Sequence, residues 1–237
     1  MNILDIAILV LLAIFVLYGF YRGFTRTALS LASTFLSWLG AFLFYPFLSR
    51  FLMSSSFWGQ LFGYMSDGAA ETLTGFEILS QPASSVTSSQ LTDILSTSGL
   101  PSSVTTMLRE NVLNQAFTGQ EGVVTLGQYF NTTLGNLLVN VISFLIIFFA
   151  LSLIFALIIA MTHAVVSLPV LKTLDGVLGG CFGLVQGILL MFVLFAIVPV
   201  ILSVMPISFV NQYLDNSFFA SLFYKSNFIL DMLSSII

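Results

Sequence analysis

Long apolar runs alternate with short polar interruptions along this chain, and that rhythm predicts its elements. Four runs are long enough to cross a bilayer: Ile3 to Phe20, Ala28 to Leu48, Leu137 to Met161, and Gly176 to about Met205. A hydrocarbon core about 30 Å thick needs about 20 helical residues. Pro46 falls near the end of the second run and Pro199 near the outer end of the fourth. The first run has no basic region before it and no small-residue cleavage site, so it reads as a retained helix and not as a removed signal peptide.

The polar segments are a different material. Residues 80–106 are rich in Ser and Thr and broken by Pro82, Gly99 and Pro101. Ser84 to Ser89 reads as a loop or disordered stretch. Leu100-Pro101-Ser102-Ser103 is a helix start leading into Val104 to Phe117. Gly122 to Thr133 leads into the third membrane helix. The whole segment is too small and too polar for a core of its own, so it is expected to lean on the bundle. At the other end, Asn216 or Ser217 can cap an amphipathic helix running to about Ser234. Its charges and short length favour an interfacial helix over a fifth span.

The predicted architecture is therefore all-α: a polytopic membrane protein with four transmembrane helices, a Ser/Thr-rich outer segment and a C-terminal interfacial helix. The chain divides into helices one and two (residues 1–48), an extracytoplasmic segment (49–135), helices three and four (136–205) and an amphipathic tail (206–237). Composition agrees: the 237 residues are 58% hydrophobic and only 7% charged, where soluble domains carry about 25% charged residues. No basic cluster points to nucleic acid. Arg22 and Arg26 lie between the first two helices with no acid beside them. Positive charge in short loops stays cytoplasmic, which puts both termini and the segment from Ser49 to Gly135 outside.

Within the fourth run, Gly176, Gly179, Gly180, Gly183 and Gly187 punctuate the apolar residues. Gly179, Gly183 and Gly187 recur every fourth residue and make one smooth helical stripe. In lipid such a stripe lets a second backbone approach closely, so Gly176, Gly179, Gly183 and Gly187 are candidate helix-packing residues. Ser33, Ser37 and Ala41 form a second small-residue stripe that could match it.

Polar residues near the membrane give further candidates. Arg22 and Arg26 share a helix face if the second helix begins early. Asp175 is either a first-turn acid complementing the helix dipole or an ion-pair partner of Arg22 or Arg26. Asp5 serves the exposed amides of the first helix or lines a pore. Gln186 lies about ten residues into the fourth run, roughly 15 Å deep. There it either hydrogen-bonds another helix or lines a polar pathway. The single His163 reads as an interface residue. The single Cys181 allows no disulfide within the chain and no cysteine metal site. No HExxH, G-x-S-x-G, Walker or dinucleotide motif occurs. No catalytic, cofactor-binding or metal-ligating residue is therefore expected, and the chain reads as a non-enzyme.

Several short motifs occur in a familiar order. Asn2-x-x-Asp5, Gly19-x-x-Arg22-Gly23-x-x-Arg26 before Leu29-Ser30-Leu31, and Leu168-Pro169-Val170-Leu171-Lys172-Thr173-Leu174-Asp175 before the glycine stripe resemble the bacterial colicin V production protein (CvpA) family. The segment from Ser217 to Asn227 resembles the end of its longer members from Gram-positive bacteria. The resemblance implies a multi-pass protein of the bacterial cytoplasmic membrane with no known catalytic activity. It also implies links to toxin production or secretion and to tolerance of envelope stress. Two functions follow: an accessory or scaffold protein whose glycine face docks a helix, its own or a partner's, or a subunit of an oligomeric channel or small-solute transporter.

Overall fold

The computed structural model of the protein describes residues 2–55, 60, 77–97, 102–114, 125–161, 172–198, 214 and 216–234. His163 and the stretch from Pro199 to Met205 lie outside these residues. The described elements are α1 (Ile3–Arg22), α2 (Phe24–Ser54), two short 3-10 turns, α3 (Ser88–Thr97), α4 (Ser102–Leu113), α5 (Leu126–Met161), α6 (Lys172–Phe195), α7 (Phe218–Lys225) and α8 (Phe228–Ser234). Four of them, α1, α2, α5 and α6, are long and apolar enough to cross a membrane. Large apolar side chains such as Phe44, Phe47, Phe149, Leu153 and Leu157 stand exposed along them. That much exposed hydrocarbon belongs in lipid, and the protein is a membrane protein.

Helix ends follow local chemistry. Asn2 opens α1 with a reciprocal capping box: its side chain accepts from Ile3 N, and its own N–H donates to Asp5. The expected connection from Tyr21 to Thr27 shrinks to one residue, Gly23, with φ 79°. Glycine takes this left-handed backbone at little cost. Thr27 Oγ1 then donates to Gly23 O at 2.8 Å and to Gly19 O at 3.3 Å, satisfying carbonyls at the end of α1. Arg22 therefore closes α1 and Arg26 sits in the first turn of α2, so the two do not share one helix.

Three spans differ in length from the apolar runs. α2 begins at Phe24 and continues through Pro46 to Ser54. α5 begins at Leu126, eleven positions before the apolar run at Leu137: the segment expected to lead into the third helix is part of it from Leu126, and these first turns bury Tyr129, Phe130 and Leu134 against protein. α6 ends at Phe195, and the chain turns at Ala196 and Ile197 before Val198, which is helical again; the rest of the expected run lies outside the described residues.

In the bundle, α1 packs on α6, while α2 packs on α5 and α6. The Ser/Thr-rich segment packs on it: Leu91, Ile94, Leu95, Val104, Leu108 and Val112 share one buried cluster with Leu126 and Phe130 of α5. The Ser84–Ser89 stretch is a 3-10 turn at Ala83–Ser85 running into α3, whose helix starts at Ser88.

The tail departs from the single amphipathic helix expected. It breaks at Asn227, whose Oδ1 accepts from Ile229 N and Leu230 N and so caps a second helix. Asn227 Nδ2 also donates to Phe192 O of α6 at 2.9 Å. Ala220, Phe223, Tyr224, Ile229, Leu230 and Leu233 are buried. α7 packs on α1 and α6, and α8 on α4, α5 and α6. Phe228 meets Trp38 of α2 and Phe192 of α6 at ring-centroid distances of 5.7 and 4.9 Å. The tail thus touches every membrane helix at the Asp5 end of the bundle.

Candidate functional site

Among the described residues, three polar constellations gather around Asp175, Asp5 and Gln186, residues singled out in the sequence. The first surrounds Gly23. An ideal Cβ on Gly179 would lie 2.8 Å from Gly23 C, and one on Gly19 would lie 3.2 Å from Gly183 Cα. A Cβ on Gly183 would meet Phe15 C at 3.1 Å, and one on Gly187 would meet the Phe15 and Leu12 side chains at 3.1 Å. The glycine stripe therefore faces α1, where Gly19 and Gly23 repeat the same four-residue step. It does not face Ser33, Ser37 and Ala41. Ser37 and Ala41 are buried on the face of α2 that continues through Tyr45 to Ser49, and Ser49 bonds Asn140 of α5. Gly176 lies against the Phe20 ring.

Asp175 completes this joint. Its Oδ1 accepts from Phe24 N at 2.9 Å, and a Cβ on Gly23 would lie 3.0 Å from its Cγ. Phe24 N is one of the amides that a helix leaves without an internal partner. Gly23 has no side chain to cap it, so the carboxylate arrives from α6 instead. Among the described residues neither Arg22 nor Arg26 forms an ion pair with Asp175; Arg22 lies over the Tyr18 ring at 4.5 Å. The amide wins because Gly23 leaves it bare and within reach, while Arg22 and Arg26 are both exposed.

The second constellation lies at the opposite end. Asp5 is 2% exposed. One oxygen accepts from Asn2 N at 2.8 Å, and the other accepts from Ser217 Oγ at 2.7 Å and from Phe219 N at 3.0 Å. Ser217 Oγ accepts in turn from Ala220 N. One carboxylate thus serves the N-termini of α1 and α7 together. The third constellation lies mid-helix: Gln186 Nε2 donates to Ser30 Oγ at 3.0 Å and to Thr34 Oγ1 at 3.1 Å. All three residues are half-buried.

Sequence reasoning missed Gly19 and Gly23 as the counterpart of the stripe, although their spacing signals it. It also missed Ser30 and Thr34, which share a face of α2, and Ser217 as a partner of Asp5. Among the described residues no group of three or more His, Cys, Asp or Glu is placed to hold a metal.

A family model described as Colicin V production protein matches residues 4–100 and 115–227. Neither curated proteins nor solved structures provide a match.

Proposed function

The chain belongs to the colicin V production protein family, and from that membership we propose that it is a non-enzymatic accessory of toxin production or export in the bacterial cytoplasmic membrane. In this reading the bundle is a packing scaffold. Membership itself places it among membrane proteins of colicin V production. The observation that carries the scaffold reading is where the bundle's two acids go: Asp5 and Asp175 each cap the helix of another segment. Side chains spent on backbone amides are structural parts.

The test is secretion of active toxin by a producing strain that lacks its own family member and carries variants of this chain. Asp175→Asn keeps an oxygen for Phe24 N, so secretion should stay near wild type. Asp175→Ala leaves that amide unpaired, at a cost of about 1–3 kcal/mol, and should lower the yield of folded protein and secretion together. If correctly folded, inserted Asp175→Asn protein secretes nothing, the carboxylate has a chemical role and the scaffold reading fails.

The proposed orientation places Arg22 and Arg26 in the cytoplasm and both termini outside, by the charge rule for short loops. Cys181, the chain's single cysteine, is exposed, so labelling starts from Cys181→Ser. In that background Ser103→Cys should react with membrane-impermeant maleimide in intact protoplasts. Reaction only after lysis would invert the topology.

A second reading, a channel subunit completed by other copies, draws on Gln186, Ser30 and Thr34. The cluster is only half-covered by its own chain, and a neighbouring copy could cover the rest. Native mass spectrometry distinguishes the two: a monomer supports the scaffold, a closed ring the channel.

A further inference from the structure

α2 and α5 run antiparallel with a readable register. Ser49 Oγ donates to Asn140 Oδ1 at 2.6 Å. Leu52 shares a small cluster with Val139, and a Cβ on Gly40 would meet Leu151 Cδ1 at the same seam. Stepping one turn along each helix from the Ser49–Asn140 bond, back on α2 and forward on α5, brings Tyr45 to the turn of α5 that holds Ser143 and Phe144. Tyr45 is 1% exposed and Ser143 0%. Among the described residues their hydroxyls, Tyr45 Oη and Ser143 Oγ, are buried with no hydrogen-bond partner.

Buried hydroxyls are nearly always paired, because an orphaned one forfeits its bonds to water. A serine in a helix can rotate its hydroxyl onto the carbonyl four residues back. A tyrosine cannot: its phenol oxygen stands far beyond its own backbone, at the tip of a rigid ring. Tyr45 therefore needs a partner from outside its helix, and the surrounding core supplies mostly hydrocarbon. Phenylalanine at position 45 would fill the same space without the burden, so the hydroxyl calls for an explanation. Water suits it, since water takes two to four polar partners and recurs at such sites in protein interiors.

We propose that Tyr45 and Ser143 form a binding site for a small neutral molecule that both donates and accepts hydrogen bonds, namely water. The site sits in the α2–α5 seam, one turn from the Ser49–Asn140 pair. It makes that seam a wet contact, whereas the α1–α6 contact is closed by touching backbones. Neither the glycine joint nor the Asp5 cluster takes part in it.

Synchrotron radiolytic footprinting of the intact protein in nanodiscs tests this, because bound water inside a membrane protein yields hydroxyl radicals where it sits. Tyr45 should be modified several-fold faster than Phe144 and Phe148, which are equally buried but carry no hydroxyl. Ser143→Val should remove most of that excess. Labelling of Tyr45 no faster than of the two phenylalanines would overturn the proposal.

Thermal melting supplies an independent arm. If the two hydroxyls share a water, Tyr45→Phe and Ser143→Ala each lower the melting temperature, and the double variant loses less than the sum. If the hydroxyls are dry, Tyr45→Phe removes an unmet polar group and the melting temperature stays level or rises. That result would sink the proposal. A variant that fails to insert is replaced by Ser143→Cys, which keeps the volume and weakens the hydrogen bonding.

Discussion

Gly179→Leu is expected to abolish the folded bundle. Even the first carbon of a side chain at this position would collide with the backbone of Gly19 and lie 2.8 Å from Gly23 C. Backbone cannot rotate away as a side-chain tip can, so α1 and α6 would have to separate along their whole contact. Inserted methylenes ordinarily cost about 1–3 kcal/mol in a packed core, and this displacement exceeds that case. In lipid no hydrophobic drive compensates, because separated helices simply meet acyl chains. Gly183→Leu should behave alike, since its Cβ would face Phe15 C at 3.1 Å. Gly180→Ala is the control on the same helix. Its Cβ would meet nothing closer than Val16 O at 3.5 Å, an ordinary contact. Alanine also favours a helix over glycine by about 1 kcal/mol. The measurements are yield of monodisperse protein and thermal stability in detergent. Wild-type behaviour of Gly179→Leu, or equal damage from Gly180→Ala, would contradict the close contact.

Asp5→Ala is expected to free the C-terminal tail. The substitution strands the amides of Asn2 and Phe219 and the Ser217 hydroxyl. Leaving a buried donor unsatisfied costs about 1–3 kcal/mol, and hydrogen bonds to charged groups lie at the upper end. The three losses will not simply add, since they share one carboxylate. α7 should suffer most, being a short helix that loses Asp5's bonds to its capping residue and its first turn together. Limited trypsin digestion reads this out at Lys225, which lies in the last turn of α7 and is exposed. Cleavage there should rise strongly in Asp5→Ala and less in Asp5→Asn, which keeps an acceptor oxygen. Ser217→Ala should also speed cleavage, but add little on top of Asp5→Ala. Unchanged cleavage in Asp5→Ala would show that apolar burial of Phe223, Tyr224 and Leu230 holds the tail without the latch.

The four membrane spans could be read from the chain because the comparison is local. Twenty or so apolar residues either match a bilayer or do not, and α1, α2, α5 and α6 all do. Cap chemistry was legible for the same reason: Asn2 and Ser217 act on amides within three residues of themselves. The four-residue glycine period marked the face of α6 that another backbone would approach. Where the periodicity failed, it failed at ends. The start of the apolar run at Leu137 did not mark the start of α5, whose first turns from Leu126 are buried against the Ser/Thr-rich segment. Nor did the pattern show that Asn227 would break the tail in two.

Which faces meet was decided only by the folded chain. The Asp175–Phe24 bond joins residues 151 apart, Gln186–Ser30 joins residues 156 apart, and Ser217–Asp5 joins residues 212 apart. Nothing in a local pattern ranks Phe24 N above Arg22 as the partner of Asp175. The amide becomes the better target only once Gly23 has turned the chain and left it bare beside α6. The pattern of small residues pointed the glycine stripe at the Ser33–Ser37–Ala41 face, whereas in the folded chain it meets the equally smooth Gly19–Gly23 face. In a membrane the choice between them rests on shape, because the surrounding lipid is as apolar as either face, and shape exists only after the helices are placed.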